Sequence, residues 1–184
     1  MERLIPRMVS NFDPQSIAFL TSSQALVAEG LLDAAILRAS AVDAAAAFAH
    51  VREADFDNPS LGVIFETAAE LRAAGLPHDP VIVLDELTRR GLTAGHVGAM
   101  LRKHLLDVVT SEAAASPLAV SSYACAVVSD SYRRRFEILG KSLVEASAGF
   151  AEHDLLPLLQ SGRDAAVAHA GRLFRLREAT GAAI

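Results

Sequence analysis

An all-α fold is predicted by three observations. Apolar residues make up 52% of the chain, much of it alanine and leucine, while aromatics reach only 5% and β-branched runs are few, a composition that favours helices. Between Asp55 and Gly91 the punctuation of a helix is written twice: Asn58-Pro59 and Asp79-Pro80 are cap and first-turn pairs, and Gly75 and Gly91 stand where a left-handed residue closes a helix. Ser116-Pro117 then opens the longest uninterrupted helical pattern in the chain. Together these predict a small globule of about five helices followed by a long helical hairpin.

Taken in order, residues 1–21 hold no clean period and are interrupted by Pro6, Asn11, Asp13 and Pro14, so an N-terminal mobile arm is expected there. The globule is expected over residues 22–109. Ser22 or Ser23 is placed to cap a helix through about Arg38, with Leu26, Val27, Gly30, Leu31 and Ala34 at helical spacing. Ser40 is placed to cap the next, with Val42, Ala45, Ala46 and Ala49 on one face. A third helix follows Asn58, with Val63, Ile64, Ala68 and Leu71 buried and Phe65 beside them. A fourth follows Asp79, with Val81, Ile82, Leu84 and Leu87 as its apolar set. Thr93 is placed to cap a fifth, with Val97, Met100, Leu101, Leu105 and Val108 inside.

From Thr110 to Ser116 the hydrophobic stripe stops, marking a boundary, and the hairpin is expected over residues 116–179. Its first helix runs to about Phe150, about 50 Å at 1.5 Å per residue, which exceeds a globule of about 100 residues, so much of it must find another partner. A turn region covers Gly149 to Gly162, with room for one helical turn around Leu155 to Gln160, and a last helix starts at Arg163, carrying Val167, Ala170, Leu173, Phe174 and Leu176.

Several classes are disfavoured. The net charge of −5 argues against a protein that coats nucleic acid generally. A single cysteine, Cys125, rules out an internal disulfide framework and suits a reducing compartment. No apolar run approaches a membrane span, and the N-terminus lacks the features of a signal peptide, so a cytoplasmic location without membrane contact is expected.

The residues resemble the N-terminal domain of DnaB-type replicative helicases over about residues 22–178. The landmarks are Ser23-Gln24 with Leu31-Leu32-Asp33, then Asp55-Phe56, Ile64-Phe65, Leu71, Gly75, Pro77 and Asp79, then Leu84, Glu86-Leu87 and Arg90-Gly91, then Ser116-Pro117, Tyr123-Ala124 and the basic run Arg133-Arg134-Arg135. Three places depart from the pattern: Leu61 stands for a common histidine, His78 interrupts the usual Pro-Ile-Asp, and Ala119, Val120 and Ser121 lack the usual asparagine. The family's ATPase domain is not in this chain, which is read as an excised domain or a stand-alone relative, the N-terminal extension and Ala-rich body favouring the latter. The resemblance implies a non-catalytic protein-interaction and oligomerisation module of DNA replication. Its partners would be further copies of itself through the hairpin, with the replicative helicase, primase or loader.

The residues offer little chemistry beside this. Gly140-Lys141-Ser142 mimics the end of a P-loop, but Arg135 stands where the first glycine belongs and no strand precedes it. The six histidines have no partner at i+3 or i+4, so no metal site is expected. His78 sits between two prolines in a loop, where simple exposure explains it. Asp85-Glu86 with Glu66 or Glu70 read as helix-end acids rather than an acid-base pair, and Ser22-Ser23 and Ser121-Ser122 as caps and turns. No catalytic residue and no cofactor are expected. The candidate self-association stripe is Phe136, Leu139, Leu143, Phe150, Leu173 and Phe174, expected to be buried either within the hairpin or against a second one. Arg133, Arg134, Arg135 and Lys141 are candidates for partner or nucleic-acid contact. They support an alternative reading, a nucleic-acid-binding regulator, although consecutive arginines fan around a helix and do not form one patch by themselves.

Overall fold

The computed structural model describes residues 27–113 and 116–181. The expected arm over residues 1–21 and the caps at Ser22 and Ser23 lie outside the described residues. Helices follow in the order α1 (27–36), α2 (Ala45–His50), a 3-10 turn (Glu53–Asp55), α3 (Pro59–Ala73), α4 (Pro80–Arg89), α5 (Gly95–Thr110), α6 (Pro117–Gly149) and α7 (Glu152–Thr180). Among the described residues there is no strand. The all-α prediction is thus the fold observed.

α3 is the hub of the globule. It packs against the 3-10 turn, α4 and α5, and its Leu61, Ile64, Phe65, Ala68 and Leu71 are buried. Phe65 stacks with Phe48 and Phe56 at ring-centroid distances of 5.7 and 5.3 Å. The Asn58 side chain accepts from Ser60 N at 2.9 Å and begins the helix. A second anchor comes from α1: the Glu29 carboxylate accepts from the backbone N–H groups of Asp57 and Asn58 at 2.6 and 3.1 Å. Burial raises the Glu29 pKa, while these two donors oppose the rise.

The doubled punctuation forms as its residues dictate. Gly75 and Gly91 both take φ +74°. Leu76 N bonds Leu71 O and Gly75 N bonds Arg72 O, while Leu92 N bonds Leu87 O and Gly91 N bonds Thr88 O, so both helices end in Schellman motifs. Asp79 caps α4 by accepting from Val81 N at 3.0 Å and Ile82 N at 3.3 Å. Ser116 caps α6 by accepting from Ala119 N at 3.2 Å.

Several expectations are corrected. Ser40 does not cap α2: its hydroxyl accepts from Asp43 N in a preceding turn, α2 starts at Ala45, and Ala44, Ala47 and Val51 face inward while Val42 and Ala49 are exposed. Alanine on every side left no contrast from which to read the face. On α4 the buried residues are Val83 and Leu87, with Val81 and Leu84 exposed. On α5 Val97 and Met100 are exposed, and the N-cap is Ala94, without a side-chain bond. Thr93 is buried beneath α5 instead, with its backbone so close that a Cβ on Gly98 would collide with it.

His78 is buried rather than exposed, set edge-on against Phe48 at 5.3 Å. Burial lowers its pKa, opposed by the nearby backbone carbonyls of Ile36 and Ala39. The Pro77-His78-Asp79 link therefore crosses the end of α1 and closes the globule there.

α7 begins at Glu152, not Arg163, and contains Pro157 within it. The turn between α6 and α7 shrinks to Phe150 and Ala151. A proline one turn inside a helix removes a single backbone bond, and the remaining Leu and Ala positions carry the helix on. α6 and α7 lie together as a hairpin whose base packs on α2, with the 3-10 turn against α6.

Candidate functional site

The base of the hairpin is fixed to the globule through one carboxylate. Asp55, at the end of the 3-10 turn, is 1% exposed. Its Oδ1 accepts from Ser131 Oγ of α6 at 2.9 Å and from Arg172 Nη2 of α7 at 2.7 Å. Its Oδ2 accepts from Arg52 N at 2.9 Å and from Arg172 Nη1. Arg172 Nη1 also donates to the carbonyl of His50 at 2.7 Å, at the end of α2. The Asp55 carbonyl accepts from Arg134 Nη2 at 2.8 Å. The 3-10 turn, α6 and α7 thus meet on one residue, and Arg172 ties in the end of α2, with both carboxylate oxygens doubly satisfied, the condition under which a buried charge is tolerated.

His169 completes this junction. It is 3% exposed and lies beside Tyr132 at a centroid distance of 5.4 Å. Arg135 Nε approaches Nδ1 at 3.3 Å and the Val128 carbonyl lies 3.0 Å from Nε2. A guanidinium can only donate, so Nδ1 accepts and Nε2 carries the proton. Burial first, with the charges of Arg172 and Arg135, depresses the His169 pKa, while the Val128 and Asp55 contacts oppose this. The group is a neutral strut. With Asp55 sealed and fully bonded, the junction positions elements and offers no reacting atom to a substrate.

The arginine run is therefore divided. Arg134 and Arg135 turn inward, onto Asp55 with Asp57 and onto His169, while Arg133 is exposed. Lys141 bonds Glu137 at 2.6 Å on the exposed face of α6. Gly140-Lys141-Ser142 is ordinary helix, with its amides engaged in α6. Gly140 is not a close approach: a Cβ there would meet nothing within 4 Å. The glycine that matters is Gly162 of α7, over which Leu139 is packed so closely that a Cβ would strike its Cδ atoms.

The apolar stripe is likewise divided. Leu173 is in the core, and Leu139 and Leu143 are half-buried. Phe136, Phe150 and Phe174 are 48%, 58% and 47% exposed, so burial inside the single hairpin is not what holds them. From Arg133 to Ala165, Ala146 is the only buried residue. Phe136 stands edge-on to Tyr132 at 5.0 Å, and with Gly140 and Val144 it borders an open dent of about 380 Å³ on α6.

Elsewhere, the acid pair considered on α3 and α4 is committed to ion pairing. Arg90 bridges Glu86 and Glu70, and hydrogen bonds from Arg89 and then Arg90 hold Glu86 at a pKa of about 2, too low for a base near neutrality. Among the described residues no three His, Cys, Asp or Glu side chains converge as a metal site. No helix there is long and apolar enough to cross a membrane.

The sequence model of the DnaB-like helicase N-terminal domain matches residues 22–124, more than half of the chain. The chain belongs to that family. It is also similar in fold to the crystal structure of the N-terminal domain of DnaB helicase from Mycobacterium tuberculosis, with a TM-score of 0.62 and 23% identity over 74% of this chain and 94% of that one. No curated protein matches. Within this DnaB-like domain the matched segment holds Asp55, Ser116-Pro117 and Tyr123, whereas Ser131, Arg134, His169 and Arg172, which meet at the junction, lie beyond it.

Sequence reasoning used Asp55 only as a landmark and missed the junction. A signal was present: His169 and Arg172 are three apart in a helix and share its face with Leu173 and Leu176, polar groups set within an apolar stripe.

Proposed function

We propose that this DnaB-like domain is a non-catalytic interaction module of DNA replication, self-associating through the outer part of its hairpin and docking a replication partner, such as the helicase, primase or a loader, on its globule. Residues 22–109 and 116–179 would act as its two working units. One observation carries the reading: from Arg133 to Ala165 the hairpin buries only Ala146, while Phe136 and Phe150 in that stretch, and Phe174 nearer the base, are exposed. Two helices with so thin a shared core gain little by folding alone, and a second hairpin supplies the missing face as a four-helix arrangement. On the globule, the exposed Val81 and Leu84 of α4 and Val97 and Met100 of α5 supply apolar surface for a different partner.

The competing nucleic-acid reading is weakened by the basic residues themselves, since Arg134 is engaged on Asp55 and Asp57 within the chain and Lys141 is paired. Light scattering over a wide concentration range tests the proposal. Dimers or larger species are expected, and Phe136→Ser with Phe150→Ser should shift the chain toward monomer. A strict monomer at high micromolar concentration would overturn it. Pull-down with the host's helicase and primase tests the partner arm.

A further inference from the structure

A cleft beside the junction holds more positive charge than the junction consumes. It is open, about 390 Å³, and lined by Arg52, Arg135, Arg172, Arg175 and His169. Its remaining wall is Ala165 and Ala168, whose small side chains leave the space between the guanidiniums empty. Arg172 is committed to Asp55. Among the described residues, Arg52, Arg135 and Arg175 have no carboxylate within ion-pair distance. They come from three different elements: the residue opening the 3-10 turn, α6 and α7. The junction holds their backbones together, so the convergence is a consequence of the fold and not of one helix's sequence. His50 senses the same field: burial lowers its pKa, followed by the charges of Arg175, Arg172 and Arg52.

We infer that this cleft binds the carboxylates of an acidic peptide segment of a protein partner. Guanidinium forks match carboxylates in bidentate geometry, and Arg52 and Arg175, joined by an Arg135 that gives only its Nε to His169, favour anionic oxygens at close range. The surroundings favour a peptide over a polynucleotide. The cleft has no aromatic wall other than His169, so it lacks the stacking platform on which single strands are held. The chain as a whole carries −5, so a long polyanion must cross an acidic surface to reach the cleft, whereas a short acidic segment need only insert its side chains. The inference deepens the interaction-module reading, on which it rests for choosing a protein occupant.

The test is fluorescence anisotropy with the full chain, using a labelled poly-glutamate peptide and a labelled oligo-dT strand of equal charge, at about 50 and 200 mM salt. The peptide is expected to bind, to weaken as salt rises, and to bind about tenfold or more weakly to Arg52→Gln/Arg175→Gln. Both side chains lie outside the Asp55 bonding, so the variant should melt like the parent and show the same light-scattering mass. Absent peptide binding at low salt, or equal binding by a folded variant, overturns the inference. Tighter oligo-dT binding that is lost in the variant also overturns it, assigning the cleft to nucleic acid instead. Because self-association is read on the same variant, failure of the cleft is distinguishable from failure of the hairpin proposal.

Discussion

Arg172 illustrates how one residue carries the arrangement of several elements. It holds a sealed carboxylate, a helix-end carbonyl and the hairpin in one set of bonds. Removing it leaves Asp55 buried with half of its partners gone. Arg172→Ala is expected to cost about 3–5 kcal/mol in denaturant unfolding, because the loss is that of an unpaired buried charge. The double variant Asp55→Ala/Arg172→Ala should be less unstable than the two single costs combined. A different balance holds at Asp33, whose carboxyl oxygens find no partner among the described residues. Burial and then the charge of Glu29 push its pKa well above the ordinary value. The native state thus keeps a proton that the unfolded chain releases near pH 4, so the unfolded chain binds fewer protons above that point and stability falls as pH rises. Asp33→Asn should therefore raise the melting temperature at about pH 8 and change it little at about pH 4. Equal effects at both would refute this account. Asp33 was legible only as a family landmark, since nothing in a linear pattern states that a carboxylate between Leu32 and Ala34 has no counter-ion.

Among the elements, the helices bounded by caps were legible and those bounded by contacts were not. Asn58, Asp79, Ser116, Gly75 and Gly91 act within a few residues of themselves, so their chemistry is local and readable. The inward face of α2 and the true start of α7 depend on what lies across the fold, and an alanine-rich sequence with one early proline conceals both. Glycines show the same division. Gly98 and Gly140 both sit inside helices, but one lies against the Thr93 backbone and the other in open space. Gly140→Ala should stabilise the chain by about 0.5–1 kcal/mol through helix propensity alone. Gly98→Ala should destabilise it, since the atoms it meets belong to a backbone and cannot rotate away. Opposite signs in paired thermal melts check both, and equal signs would show that α5 shifts freely over Thr93.

For the whole molecule, the stable part is the globule with the hairpin base, and the outer hairpin is the part left incomplete. The core runs continuously through α1, α2, α3, α4, α5 and the first turns of α6, with Leu173 and Leu176 of α7. Beyond Arg133 that continuity ends, and the outer helices expose Ile138, Val144, Leu156 and Leu159 besides Phe136 and Phe150. Backbone hydrogen bonds in such a region should open at far lower free energy than those of α3. Self-association changes this by mass action, because a partner that binds only the folded hairpin stabilises it more as concentration rises. Hydrogen exchange should therefore find the amides of residues 136–165 weakly protected at low protein concentration and strongly protected at high concentration, with α3 protected throughout. Phe136→Ser/Phe150→Ser should remove the concentration dependence and leave α3 unchanged. Strong protection of the outer hairpin that does not vary with concentration would mean that the two helices suffice for each other, and the exposed phenylalanines would then need another explanation.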